Sequence, residues 1–138
     1  MAEGTRLGSA IVFVQELDRS VSFYADLLEL AIADRTATAA LLISGSGTQL
    51  ILRAMGGHAN RVLGGIGVQY VVWTAPSRAD LDRCEQVLKS HGAHHQRRVS
   101  ETVEVVEGRD PDGMSVVITH PGPDEVPLHQ LPVRIYGW

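Results

Sequence analysis

A single cysteine, Cys84, leaves this chain of 138 residues without an internal disulfide and without zinc-finger spacing. Long apolar runs are missing as well. None approaches the roughly 20 residues needed to cross a bilayer, so no membrane is expected as a partner. The opening MAEGTRLGSAIVFV has no charged start followed by a long apolar stretch and a cleavage site, and a cytoplasmic location is the expectation. Nor is there an excess of basic charge. Twelve Lys and Arg face sixteen Asp and Glu, a formal net charge of -4, so nothing draws in phosphate backbones over long range. Arg97-Arg98 is the only adjacent basic pair and reads as a solvated patch. Nucleic acid is therefore not an expected partner.

What is present is an ordinary globular balance, 44% hydrophobic and 20% charged, in a length that suits one domain with a real core. Ala10–Val14 is a β-branched run typical of a buried strand. Asp18 offers an N-cap to a helix in which Leu17, Val21, Tyr24 and Leu28 recur at helical spacing. Strands are predicted around Ala31–Arg35, Thr38–Ile43 and, after the turn Ser44-Gly-Ser-Gly47, Thr48–Arg53. Residues 54–67 hold five glycines and read as a link. Val68–Trp73 is the next strand. Ser77 with Asp80 matches a capping box, opening a helix that presents Leu81, Cys84, Glu85 and Leu88 on one face and stops at Gly92. Strands near His95–Ser100, Thr102–Glu107 and Met114–Thr119 follow, the last two joined by Asp110-Pro-Asp-Gly113. The tail from 121 to 138 carries four prolines.

The order β-α-β-β-β thus occurs twice, in modules of about 7–53 and 68–120. Leu17-Asp-Arg-Ser20 and Leu81-Asp-Arg-Cys84 lie 64 positions apart, and Gly47 and Gly113 lie 66 apart. Offsets this close are what a duplicated module with small insertions produces. The fold class read from the sequence is α+β, with two pseudo-repeated βαβββ modules. Dimeric ferredoxin-like α+β barrels alternate strands and helices too, but do not call for two such halves.

The segment Val14-Gln-Glu-Leu-Asp-Arg-Ser-Val-Ser-Phe-Tyr24, together with the turn Asp110-Pro-Asp-Gly113, resembles the vicinal oxygen chelate superfamily, the group of glyoxalase I, bleomycin-resistance proteins, fosfomycin-resistance enzymes and extradiol dioxygenases. The resemblance covers about Leu7 to Pro121. It implies a mixed sheet curled around a cavity, into which metal-dependent members send four ligands. Carried onto this sequence, those positions fall on Ser9, Ile51, Val117 and either Val68 or Gln69. One hydroxyl, aliphatic groups and at most one amide cannot replace imidazoles and carboxylates. No metal and no other cofactor is expected.

Side chains in phase with those positions are expected to line the cavity: Ser9, Ile11 and Phe13, Gln49 with Ile51, then Val68, Tyr70 and Val72, and Ser115 with Val117. A register shift by one brings in Gln69, Val71 and Trp73 instead. The same side chains could simply fill a core. His58, in the link, is the histidine to test first. His94-His95 read as an exposed turn and His91 as a helix end; His120 ends the last strand close to the cavity mouth, where a functional and a solvated reading both stand, and His129 gives no signal. Glu101, Glu104 and Glu107 read as the solvated side of a strand. Cys84 reads as a buried thiol, and Ser9 has no histidine placed to activate it. No catalytic residue is assigned.

The resemblance then implies a small-molecule-binding protein, metal-free, sequestering an apolar or aromatic compound such as an antibiotic, and acting as a homodimer. A metal-free isomerase or cyclase working on a natural product in the same cavity is the alternative, and a scaffold with no ligand a third. The apolar tail, with Leu131, Val133, Ile135, Tyr136 and Trp138, is expected to pack on the domain or on a second subunit.

Overall fold

Eight strands and two helices, together with one 3-10 turn at Gly56–His58, appear among the residues that the computed structural model describes, 4–58, 67–122 and 125. The chain divides into two compact units, Met1–Asn60 and Arg61–Trp138.

In the first unit, β1 (Ser9–Val14), α1 (Leu17–Leu28), β2 (Ala31–Arg35), β3 (Ala39–Ile43) and β4 (Gln49–Ala54) form a sheet of order β1-β4-β3-β2. β1 runs parallel to β4, and the other neighbours are antiparallel. Alternation along β3 and β4 sends Ala40, Leu42, Leu50 and Leu52 to one buried face, on which α1 packs. The helix contributes Leu17, Val21, Phe23, Tyr24 and Leu27, all nearly fully buried, with Phe23 and Tyr24 in edge contact at 5.1 Å. Burying each such large apolar side chain stabilises by about 1.5–3 kcal/mol. The helix starts two residues earlier than an Asp18 cap requires. Glu16 holds the extended N-cap conformation, and Asp18 lies in the first turn, its carboxylate taken by Arg35 at the end of β2 rather than by backbone amides. Its charge still suits a helix N-terminus.

The second unit repeats the order with β5 (Val71–Thr74), α2 (Arg78–Ser90), β6 (His94–Val99), β7 (Glu104–Arg109) and β8 (Ser115–His120), in a sheet ordered β5-β8-β7-β6. Ser77 caps α2 as expected, its Oγ accepting from the Asp80 amide at 3.1 Å, and Gly92 follows the helix in the left-handed region at φ 65°. Leu81, Cys84 and Leu88 of α2 are buried, as are Val106, Val116 and Ile118 of the strands beneath. Two βαβββ modules are therefore present.

The turns before β4 and β8 show the duplication bond by bond. Gly47 donates to the Ser44 carbonyl at 3.0 Å and Gly113 to that of Asp110 at 2.9 Å. The Ser44 and Asp110 amides in turn donate to the carbonyls of Thr48 and Met114. Both glycines have positive φ, 93° and 89°, where L side chains are strained. Each pair of equivalents lies 66 positions apart.

Three expectations change. β5 begins at Val71, not Val68, because its pairing with β8 starts at the Val71–Val116 rung. His94 and His95 belong to β6 rather than to an exposed turn, and His94 is only partly accessible. Glu104 and Glu107 are not on a solvated side: they are 9% and 5% exposed, and an interval of three residues puts them on opposite faces of the sheet. The tail beyond Gly122, apart from Glu125, lies outside the described residues, as do 59–66 of the link.

Candidate functional site

In the first unit, the face opposite α1 gathers the residues picked from the sequence. Ser9 pairs with Gln49, Ile11 with Ile51, and Phe13 with Arg53 along the parallel β1–β4 ladder. Ladder partners share a face, so three rungs run from a polar pair through an aliphatic pair to an aromatic–cationic pair. Leu41 and Ala39 of β3 extend the aliphatic and cationic rungs. The face is open: Ile11 is 61% and Phe13 58% exposed, while Ser9, Gln49 and Ile51 are half-buried. Two large apolar side chains are thus left in water side by side on one sheet face. Arg53, absent from the sequence reading, could have been found by continuing the Gln49–Ile51 phase two residues further.

In the second unit, the corresponding face carries Ser115, Val117 and Thr119 of β8. Val72 stands beside Val117, and Tyr70 and Val72 pack on the cluster of Val103, Val105 and Val117. These central positions are buried rather than open, and Thr119 Oγ1 is buried without a hydrogen-bond partner. Glu107 shares the rung of Val117 and accepts a hydrogen bond from Gln96 at 3.1 Å. Gln69 precedes the strand and donates to the Gly67 carbonyl at 2.9 Å. Trp73 occupies the rung of Ile118, on the α2 side of the sheet, and so does not join Tyr70 and Val117. His58 closes the 3-10 turn, and its side chain lies outside the described residues.

A separate charged cluster sits on the α2 side. Arg97 of β6 donates to Glu104 at 2.6 Å, to Asp82 at 2.6 Å and to Glu85 at 3.1 Å. Arg78 reaches the other Glu104 oxygen at 2.8 Å. The hydrogen bond to Glu104, followed by that to Asp82, raises the Arg97 pKa still further above its ordinary range. His94 Nε2 lies 3.0 Å from Glu85 but makes no aligned hydrogen bond there, a close contact rather than a directed one. These groups join helix to strands and are absorbed in that task.

The duplicated geometry also sharpens the four positions where the resembling superfamily carries metal ligands. The Ile11–Ile51 rung corresponds to the Val72–Val117 rung, so the equivalent of Ser9 is Tyr70, two residues after Val68. Ser9, Ile51, Tyr70 and Val117 offer two neutral hydroxyls and two hydrocarbons. Divalent catalytic metals want imidazole or carboxylate, and the set does not fit them. Among the described residues no group of three or more His, Cys, Asp or Glu could hold a metal ion.

Comparison with known proteins defines the class. Residues 6–120 match the model of the Glyoxalase/Bleomycin resistance protein/Dioxygenase superfamily, and the chain belongs to that superfamily. Among solved structures it is similar to a glyoxylase/bleomycin resistance protein/dioxygenase domain from Frankia sp. EAN1pec, at 20% identity and TM-score 0.72, over 85% of this chain and 98% of that one. A lactoylglutathione lyase from Agrobacterium tumefaciens is similar at 17% identity and TM-score 0.65, over 85% and 94%. A fosfomycin resistance protein from Mesorhizobium loti is similar at 14% identity and TM-score 0.67, over 91% and 98%. At these identities the likeness establishes the fold. No protein of curated function matches the sequence. Among the described residues no helix is long and apolar enough to cross a membrane.

Proposed function

We propose that this member of the superfamily is a metal-independent binding protein for an apolar or aromatic small molecule. The observation that carries the reading is the exchange of ligand chemistry for hydrocarbon. Ile51 and Val117 stand where carboxylates are implied, and on the first face Ile51 adjoins the exposed Ile11 and Phe13. A surface of this kind gains by covering apolar area, at roughly 25 cal/mol per Å2. Bleomycin resistance in the family's name and fosfomycin resistance in a structural neighbour's make antibiotics the compounds to screen first.

A metal-free isomerase or cyclase is favoured by one feature, the buried Glu107 on the same face as Tyr70. A carboxylate and a phenol are usable proton-transfer groups. One experiment separates the two. The purified protein is assayed for bound transition metal and for ligand-induced thermal stabilisation, and each stabilising compound is recovered and weighed by mass spectrometry and chromatography. Stabilisation with unchanged compound and no stoichiometric metal supports the binder. Turnover lost in Glu107→Gln supports the enzyme, and stoichiometric metal overturns both.

A further inference from the structure

Resting on the reading of the first sheet face as a ligand surface, we infer that the ligand is an amphipathic acid whose anionic group is held by Arg53. The three rungs set an ordered sequence of chemistry along β1 and β4: Ser9–Gln49, Ile11–Ile51, Phe13–Arg53. Rungs on one face are spaced by two residues, roughly 7 Å, and neighbouring strands by roughly 4.8 Å. A molecule about 14 Å long that covers Ile11, Ile51 and Phe13 therefore meets a guanidinium at one end. At the other end it meets a hydroxyl and an amide.

Arg53 is exposed and makes no hydrogen bond or ion pair with any described residue, so its donors are available. Arg35, one strand-end away in the same unit, is by contrast paired with Asp18. The carboxylate of the first sheet in phase with this face is Asp34, on the rung of Leu41. Its Oδ1 accepts from the Arg35 amide at 2.8 Å. β2 is two strands from β4, and no ion pair joins Asp34 to Arg53. A guanidinium beside an aromatic ring at the end of an apolar strip suits a planar oxyanion, which it can bind through two parallel N–H donors. A neutral or cationic hydrophobe of the same shape leaves Arg53 unused or repelled.

The probes are 8-anilinonaphthalene-1-sulfonate and N-phenyl-1-naphthylamine, which share one aromatic body and differ by the sulfonate. Fluorescence titration of the full chain is expected to give about tenfold tighter binding of the sulfonate, a preference that shrinks with added salt. Arg53→Gln should abolish that preference while leaving the amine within twofold, Arg53→Lys should restore most of it, and Phe13→Ala should weaken both probes. Equal affinity for the two probes in the wild-type protein overturns the inference and leaves the apolar ligand face standing. Equal losses for both probes in Arg53→Gln also overturn it, and indifference of both to Phe13→Ala assigns the binding elsewhere. If neither probe binds, the ligand-face reading fails with it.

Discussion

Ile11 and Ile51 are register partners across the parallel β1–β4 pair, and the duplicated module sets Val72 beside Val117 in the same way. Each hydrocarbon pair thus contains one of the four positions from which metal-dependent relatives are implied to draw ligands, Ile51 and Val117, while Ser9 and Tyr70 lie one rung along.

The first prediction concerns metal. Saturating a genuine site at a hundredfold excess over its Kd stabilises a protein by about 2.7 kcal/mol, which raises Tm by several degrees. Adding Ni2+, Zn2+, Mn2+ or Fe2+ to the chelator-treated protein is expected to leave Tm unchanged. Calorimetry in the presence and absence of each ion checks this. A saturable rise of several degrees for any one of them contradicts the donor chemistry of Ser9, Ile51, Tyr70 and Val117.

The second concerns the joint between α2 and the sheet. Glu104 is 9% exposed and shared by Arg97 and Arg78, of which Arg78 is largely solvated and contributes little. Arg97→Met should cost about 1.5–3 kcal/mol by leaving a buried carboxylate short of its main donor. Adding Glu104→Gln to that variant should return part of the loss, since the unpaired charge is removed. A denaturant double-mutant cycle measures the coupling. The pH dependence follows from the raised Arg97 pKa: a base held above its unfolded value contributes in full below that value, which is itself far above neutral, and loses the contribution only as pH rises through the folded value. The Arg97 contribution should therefore be flat across the neutral range.

Much of this was legible in the sequence. Offsets of 64 and 66 anticipated both modules, and the Gly47–Gly113 alignment put Ile51 and Val117 at equivalent rungs, where the structure has them. What could not be read is non-local. Glu104 and Glu107 looked solvated because the groups that satisfy them come from elsewhere: Arg97 and Gln96 across a turn, and Arg78 from the start of α2. Val68–Tyr70 has strand composition, but strand extent is decided by a partner, and β8 provides pairing only from Val116 onward. Arg53 was within reach by periodicity alone.

The third prediction uses the duplicated turn. Asp110 is 6% exposed, and its Oδ1 accepts from the amides of Asp112 at 2.9 Å and Met114 at 2.8 Å. Its counterpart Ser44 Oγ accepts from a single backbone amide, that of Thr48 at 3.0 Å, and shares a 2.9 Å bond with the Ser46 hydroxyl, in a solvated turn. Asp110→Ala should therefore cost about 1.5–3 kcal/mol and Ser44→Ala below about 1 kcal/mol, because only the first removes a buried charged acceptor from two partly buried amides. Asp110→Asn keeps an oxygen acceptor and should recover most of the difference. Equal costs for the two alanine variants would show that the turns are held by their backbone bonds alone.

The fourth compares two glycines that are needed for different reasons. Gly108 of β7 has ordinary backbone geometry, but a Cβ there would sit 2.6 Å from the Ala93 carbonyl oxygen and 2.7 Å from Leu88 Cδ2. The carbonyl cannot move freely, since it accepts from the Arg109 amide at 3.0 Å. Gly113 faces open space, yet its φ is +89°. Gly108→Ala should push α2 off the sheet and cost about 1–3 kcal/mol through overpacking. Gly113→Ala should cost about 1 kcal/mol through backbone strain alone. Shortening the neighbour in Leu88→Ala/Gly108→Ala tests the cause: it relieves the side-chain clash but not the one with the Ala93 carbonyl. The double variant should therefore recover part of the overpacking penalty relative to additive behaviour. The same Leu88→Ala background should leave the Gly113→Ala cost unchanged, because a Cβ at Gly113 meets no atom of that leucine within 4 Å. Additive losses in the first cycle, read from urea midpoints, would mean that Leu88 is not what keeps position 108 a glycine.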